Sequence, residues 1–279
     1  MLQIGPTKRT YLVHIPEKLD PEKHPQQSAP VVLALHGAAM NGPMMAWLSG
    51  LNQKSDEAGF IVVYPSGTGP PGLLTWNAGG FAGKPGVTKP DDVAFIGKLL
   101  DDLARVANID AKRVFACGMS NGAMMSYRLA AELSDRIAAI APVAGTIAIE
   151  NSRPQRAVPV LHIHGTEDRL VPMAGPSEKL PARIKFKSVA DSIQTWVKLD
   201  GCDEAPANDV LSHAGDELKV TRTTYSGGHD GAEVVLIVVE GGGHTWPGRP
   251  TPAKFLGKTA RNISADELIW EFFQKHPMK

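Results

Sequence analysis

Residues 113–133, RVFACGMSNGAMMSYRLAAEL, decide the fold of this 279-residue chain. The stretch opens with a short apolar run that ends at Cys117, and the segment after Asn121 repeats apolar residues every three to four positions. Such a run is typical of a buried strand, and such a repeat is typical of a helix that packs by one face. The stretch therefore predicts a strand, a sharp turn and a helix, the unit from which mostly parallel sheets are built.

The same alternation of short apolar runs and helical repeats extends along the chain. The predicted strands are 10–15, 31–36, 60–64, 113–117, 137–142, 159–164, 218–225 and 233–239. The predicted helices are 45–58, 92–107, 121–133, 187–199 and 265–274. Two Pro/Gly-rich loops, 66–90 and 241–253, interrupt this order, and long loops in compact enzymes are often functional. We expect one α/β domain over residues 1–279, with a mostly parallel sheet and helices on both faces.

The composition restricts the classes of partner. The chain has 29 Lys plus Arg and 29 Asp plus Glu, so no net field favours nucleic acid or an anionic membrane surface. No apolar run reaches the roughly 18 residues that span a bilayer. Cys117 and Cys202 lack metal-ligand spacing, and we predict neither a metal nor an organic cofactor. The N-terminus lacks the pattern of a secretion leader, so a secreted protein whose leader was removed and a cytoplasmic protein both remain open.

Ser120 is the candidate nucleophile. It stands in Gly118-Met119-Ser120-Asn121-Gly122 between the predicted strand and helix, which is the context of the G-x-S-x-G nucleophile elbow. The two glycines leave room for a sharp, strained turn, and the N-terminus of the helix favours anionic intermediates near the serine. The alternative is that Ser120 only caps the helix.

A base and an acid are expected downstream, in the order serine, acid, histidine. Of the nine histidines, His244 follows an apolar strand and a triple glycine, and we predict it as the base, with a solvated loop histidine as the alternative. His162 and His164 alternate within an apolar strand and are interpreted as core or edge residues. Asp168 follows that strand by four residues and is predicted as the acid, with Glu167 as its rival.

An oxyanion hole in acyl transfer needs two preorganised N–H donors. The residue after the nucleophile, Asn121, supplies the first. Ala38, after the early strand and Gly37, is the expected second donor, and Ala39 is the alternate.

With these motifs together, the chain resembles the polyhydroxybutyrate-depolymerase-like esterases, which are related to feruloyl and acetylxylan esterases. The resemblance covers most of the chain. It rests on Arg9-Thr10-Tyr11, Leu35-His36-Gly37, Thr75-Trp76-Asn77, Asp91-Asp92-Val93, Gly118-Met119-Ser120-Asn121-Gly122, His164-Gly165-Thr166-Glu167-Asp168 and Gly243-His244-Thr245-Trp246-Pro247. It implies an α/β-hydrolase fold and a Ser120-His244-Asp168 triad. The chain departs from the family at Ser152 before Arg153-Pro154, where these esterases often carry a cysteine.

The expected substrate is a small or polymeric ester. Trp76 and Trp246 are predicted to contact it from the two loops, and Phe81 is a weaker candidate, because aromatic rings offer flat apolar surface. Hydroxyalkanoate-type polyesters and oligomers are the expected substrates, and feruloyl or acetylated polysaccharides are the alternative. An acyltransferase, a peptidase or a non-catalytic binding protein on the same fold remains open, because fold does not fix the reaction.

Overall fold

The chain folds around a long twisted sheet whose central strands are apolar throughout. A computed structural model describes residues 1–5, 7–24, 26–80, 89–176, 184–251 and 253–279. Its strands are β1 Leu2–Ile4, β2 Thr7–Arg9, β3 Tyr11–His14, β4 Ala29–Leu35, β5 Ile61–Pro65, β6 Ile109–Met119, β7 Ile140–Val143, β8 Val160–Gly165, β9 Ala207–Val210, β10 Val220–Tyr225 and β11 Val234–Val239. Its helices are α1 Gly42–Ser49, α2 Leu51–Ala58, α3 Asp92–Leu103, α4 Asn121–Glu132, α5 Val189–Asp200 and α6 Ala265–Lys275.

In the described part of the chain the main sheet has nine strands, in the order β3-β5-β4-β6-β7-β8-β11-β10-β9. The six strands from β5 to β11 run parallel. Antiparallel strands close both edges: β3 pairs with β5, and β10 and β9 extend the sheet beyond β11. This is the expected mostly parallel sheet of an α/β-hydrolase.

Helices cover both faces of the sheet. Successive strand residues point to opposite sides, so a strand that is apolar throughout presents an apolar surface on each face. Val31, Leu33 and Leu35 of β4 pack in the core that also contains buried residues of α3, α4 and α5. Val32 and Ala34 of the same strand face a second core, formed with α1, α2 and α6. Every residue of β4 is buried, as expected for a strand covered on two faces.

Some boundaries differ from the sequence-based expectation. The helix predicted over 45–58 is two helices, because Gly50 adopts a left-handed φ of 71° that ends α1. Strand β9 was not predicted, since ANDV has neither an apolar run nor a regular alternation. Across the described residues, no helix combines the length and apolar character needed to cross a membrane.

Candidate active site

Ser120 occupies the turn between β6 and α4. Its backbone has φ 57° and ψ −119°, a conformation that a non-glycine residue rarely adopts. A Cβ on Gly118 would lie 2.6 Å from the Gly122 carbonyl, and a Cβ on Gly122 would overlap the Leu35 carbonyl oxygen. Both glycines are therefore required for α4 to pack this close to the sheet, and the strain at Ser120 is held by its surroundings.

Asp168 and His244 meet beyond the carboxyl ends of β8 and β11, two neighbouring parallel strands. His244 Nδ1 lies 2.7 Å from Asp168 Oδ2, and both side chains are buried. The other carboxylate oxygen of Asp168 accepts the N–H groups of Leu170 and Val171, each at 2.9 Å. Because an ionised carboxylate only accepts, Nδ1 of His244 carries the proton and Nε2 is left to act as a base.

Glu167, the rival acid, is exposed, and its backbone N–H donates to Gly242. Consecutive residues of a loop point in different directions, so only Asp168 reaches the imidazole. The structure thus brings His244 together with Asp168 and not with Glu167.

Ser120 and His244 line one cavity of about 350 Å³. Among the described residues the Ser120 hydroxyl makes no hydrogen bond of its own. Such contacts are often long in a free enzyme and tighten when substrate binds. A serine, an imidazole and a buried carboxylate arranged in this way can carry out acyl transfer.

The two candidate donors of the early loop differ in availability. The Ala39 N–H donates to the Leu74 carbonyl at 2.9 Å, so it is already used, whereas Ala38 lines the cavity beside Ser120. Asn121 is the first residue of α4, and its N–H therefore has no partner within the helix. Its side chain makes a reciprocal pair with the Trp76 backbone, accepting from N at 2.7 Å and donating to O at 3.2 Å.

The two predicted tryptophan contacts have different outcomes. Trp246 is buried and lines the cavity. Trp76 does not line it: its side chain is only 3% exposed, packs in the core and donates its indole N–H to the His36 carbonyl at 2.9 Å. The expectation that Trp76 contacts substrate is therefore corrected to a structural role, and Phe81 lies outside the described residues.

His36 binds the loop around Trp76 through hydrogen bonds of its side chain and its backbone. Its Nε2 accepts the Gly67 N–H at 2.8 Å, and its Nδ1 lies 2.7 Å from the Gly37 carbonyl. Burial lowers the pKa of this imidazole to about 4, so His36 is neutral at physiological pH. It joins the end of β4 to the start of the long loop.

The cavity mouth has an apolar rim that was not predicted from the sequence, formed by Met44, Trp47, Leu170 and Phe255. All four are exposed large apolar side chains, and Trp47 and Phe255 are 65% and 72% exposed. Met44 and Trp47 are exposed on α1 next to the buried Met45 and Leu48, so the available signal was a helix that is apolar around much of its circumference. Phe255 follows an irregular loop and gave no such signal.

No group of three or more His, Cys, Asp or Glu side chains suited to a metal ion occurs in the described ranges. The side chains that line the cavity carry no formal charge apart from what His244 can take up. The site is therefore a largely apolar recess with Ser120 and His244 in its wall.

The fold and this site define a class: serine hydrolases with the α/β-hydrolase fold. The family model described as phospholipase/carboxylesterase matches residues 90–194. The protein of Nocardia uniformis subsp. tsuyamanensis that is named putative esterase NocK is 33% identical over 263 residues, covering 88% of this chain and 74% of NocK. The chain belongs to this family of carboxylesterases.

Other relatives carry more specific names. Feruloyl esterase B of Piromyces equi is 30% identical over 78% of this chain, and a bifunctional acetylxylan esterase/xylanase of Neocallimastix patriciarum is 33% identical over 56% of it. The chain spans only 40% and 21% of the lengths of these two proteins. The solved acetyl xylan esterase of Aspergillus awamori is 18% identical, covers 96% of this chain and 95% of its own, and has a TM-score of 0.62, which is a likeness of fold.

Proposed function

We propose that the chain hydrolyses carboxylic esters through a triad of Ser120, His244 and Asp168. The observation that carries the proposal is the meeting of a strained elbow serine and an Asp-bound histidine at one cavity. Membership of the carboxylesterase family supports the same reaction.

In this mechanism Nε2 of His244 takes the Ser120 proton while Oγ attacks the ester carbonyl. The N–H groups of Asn121 and Ala38 hold the oxyanion of the tetrahedral intermediate. The alcohol leaves with the proton from His244, and a water molecule then hydrolyses the acyl-enzyme by the same route. Asp168 keeps the proton of His244 on Nδ1 and stabilises the imidazolium.

The test compares Ser120→Ala with Ser226→Ala, a matched control at an exposed serine whose hydroxyl bonds Glu233. We expect Ser120→Ala to lose p-nitrophenyl butyrate hydrolysis and labelling by a fluorophosphonate, whereas Ser226→Ala keeps both. Normal turnover by Ser120→Ala would refute the proposal. Binding of esters without turnover or labelling in the unmodified chain would favour a non-catalytic binding protein instead.

For the substrate, we propose uncharged apolar esters of the hydroxyalkanoate type, either oligomers or polymer. The apolar lining of the cavity and the rim of Met44, Trp47, Leu170 and Phe255 support this choice. Burial of apolar area contributes about 25 cal/mol per Å², so a chain of repeated apolar ester units gains at the rim as well as in the cavity. A lone acetyl group would leave most of the 350 Å³ unfilled.

A feruloyl ester is the second candidate. The Trp246 ring in the cavity wall suits an aromatic acyl group, and several relatives are named feruloyl esterases. A panel of hydroxybutyrate trimer, ethyl ferulate, acetylated xylan and p-nitrophenyl acetate separates the two. Higher kcat/KM on the trimer supports the first candidate, and higher kcat/KM on ethyl ferulate supports the second. Preference for acetylated xylan would contradict both.

A further inference from the structure

Three buried polar side chains form a row between α4 and the loop of Asp168. The Tyr127 hydroxyl lies 2.8 Å from His162 Nδ1, and His162 Nε2 lies 3.0 Å from His164 Nδ1. His164 Nε2 lies 2.8 Å from the Val171 carbonyl oxygen. None of the three side chains is more than 1% exposed. Apolar residues would fill the same space without needing hydrogen-bond partners. The presence of three polar side chains here therefore indicates a role beyond packing.

The last acceptor fixes every proton in this row. A carbonyl oxygen only accepts, so His164 must carry its proton on Nε2. Burial lowers the pKa of both imidazoles below the ordinary value, which favours the neutral form of each ring. His164 Nδ1 must then accept from His162 Nε2–H, and His162 Nδ1 must accept from the Tyr127 hydroxyl. In the reverse arrangement, two lone pairs would face each other at Val171.

The row ends on the loop that carries the catalytic acid. His164 holds the Val171 carbonyl, and the Val171 N–H donates to Asp168 Oδ1 at 2.9 Å. His164 Nε2 also lies 3.5 Å from Asp168 Oδ2, the oxygen that accepts the His244 proton. The titratable groups facing His164 are thus His162, Asp168 and His244.

We propose that His164, kept in its Nε2–H form by His162 and Tyr127, is the positioning residue that sets the orientation of Asp168 toward His244. The proposal rests on the triad proposed above. His164 does not line the cavity of Ser120 and His244, and it acts only through the loop of Asp168. Neighbouring hydrogen bonds of one direction polarise each other, so the row aims its positive end at the carboxylate. A loop placed even about 1 Å away would cost on the order of 100-fold in rate.

The decisive comparison is His164→Leu against His164→Gln. Leucine leaves the Val171 carbonyl and His162 Nε2–H without partners, whereas the glutamine amide can donate to the first and accept from the second. We expect kcat on p-nitrophenyl butyrate to fall about 10- to 100-fold in His164→Leu with KM changed less than about 3-fold. The acid limb of the kcat/KM profile should move to lower pH, because a misplaced Asp168 stabilises the His244 imidazolium less. His164→Gln should recover most of kcat and restore the acid limb.

Two further variants separate positioning from general destabilisation. His276 is another buried histidine, held by the Phe272 carbonyl at 2.8 Å and remote in sequence from the triad. His276→Leu should lower the melting temperature without moving the acid limb. Tyr127→Phe removes only the first donor of the row and should move the acid limb in the same direction as His164→Leu but less. It serves as the test if His164→Leu does not fold.

The outcomes distinguish this inference from the proposed function. If Ser120→Ala is inactive while His164→Leu and Tyr127→Phe keep the wild-type kcat and acid limb, the positioning role is overturned and the triad stands. If Ser120→Ala is active, the triad itself fails. In the wild type, ¹⁵N–¹H imidazole correlations should show neutral Nε2–H forms for His162 and His164 at pH 7. An Nδ1–H form of His164 would overturn the proposal without any variant.

Discussion

The sharpest prediction concerns Asp168→Asn, which replaces one carboxylate oxygen by an NH₂ group. Two backbone N–H groups point at Oδ1 of Asp168, so the asparagine must place its carbonyl oxygen there. Its NH₂ group then faces His244 Nδ1, 2.7 Å from the present carboxylate oxygen. A donor at that place forces Nδ1 of His244 to accept, which moves the imidazole proton to Nε2. The ring can then no longer take the proton of Ser120.

The wrong imidazole form costs about 10⁴-fold in kcat where the same exchange is made in a serine protease triad, which corresponds to roughly 5 kcal/mol of transition-state stabilisation. We expect a loss of the same order here, because the two backbone N–H groups leave the asparagine only one orientation. Stability should change little, since packing and both backbone hydrogen bonds are kept.

The assay is steady-state hydrolysis of p-nitrophenyl butyrate at pH 7 to 8, with thermal unfolding of each variant in parallel. Glu167→Gln is the matched control, because it changes an adjacent exposed carboxylate in the same way and should keep wild-type turnover. If Asp168→Asn retained more than about a tenth of wild-type kcat, or if Glu167→Gln lost as much, the assignment of the acid would be wrong.

Three other predictions concern the apolar rim, the turn around Ser120 and the buried His36. Trp47→Ala and Phe255→Ala should each lower kcat/KM on hydroxybutyrate trimer about 5- to 30-fold, which corresponds to the loss of about 1–2 kcal/mol of apolar contact. On p-nitrophenyl acetate the same variants should lower kcat/KM less than 2-fold. Equal losses on both substrates would contradict a rim role. Gly122→Ala should lower the free energy of unfolding by about 1–3 kcal/mol, because the added Cβ overlaps a strand carbonyl. Gly97→Ala, where the Cβ enters open space on α3, should raise it by about 0.5–1 kcal/mol. Thermal unfolding of both variants measures the two changes. His36 has a folded pKa of about 4, below its unfolded value near 6.5, so the unfolded chain binds more protons and stability falls by about 2–3 kcal/mol as pH drops between these values. Urea unfolding at pH 7 and pH 4.5 measures this, and His36→Gln should flatten the change; an unaltered slope in the variant would assign the effect elsewhere.

Much of the site could be predicted because parallel strands end at the same edge of a sheet. Ser120, Asp168 and His244 each follow a strand of strong apolar pattern, and their order along the chain restricted the choice further. The fold and its two-sided cover of helices followed from the same alternation. The single domain over 1–279 stays a prediction.

What could not be predicted depends on contacts between distant segments. Trp76 was expected at the substrate because its flat apolar ring stands in a loop beside the proposed site, but hydrogen bonds to His36 and Asn121 hold that loop against the sheet, and the ring is buried. Ala38 was preferred to Ala39 as the second donor, but the contact that separates them, from the Ala39 N–H to the Leu74 carbonyl, joins segments far apart in the sequence. The hydrogen bonds of His162 and His164 were equally hidden, since alternation along a strand shows burial but not partners.

The left-handed backbone conformation of Ser120 means that the residue proposed to react also lowers the stability of the fold. Holding a non-glycine residue in this conformation costs about 1–3 kcal/mol. That is a sizeable part of the free energy of unfolding of a typical protein, about 5–15 kcal/mol. Glycine would relieve that cost and leave an inert but more robust molecule. A screen of random variants for heat resistance alone would thus tend to replace Ser120, the proposed nucleophile, and enrichment of glycine at this position among the survivors would mark the site without any substrate.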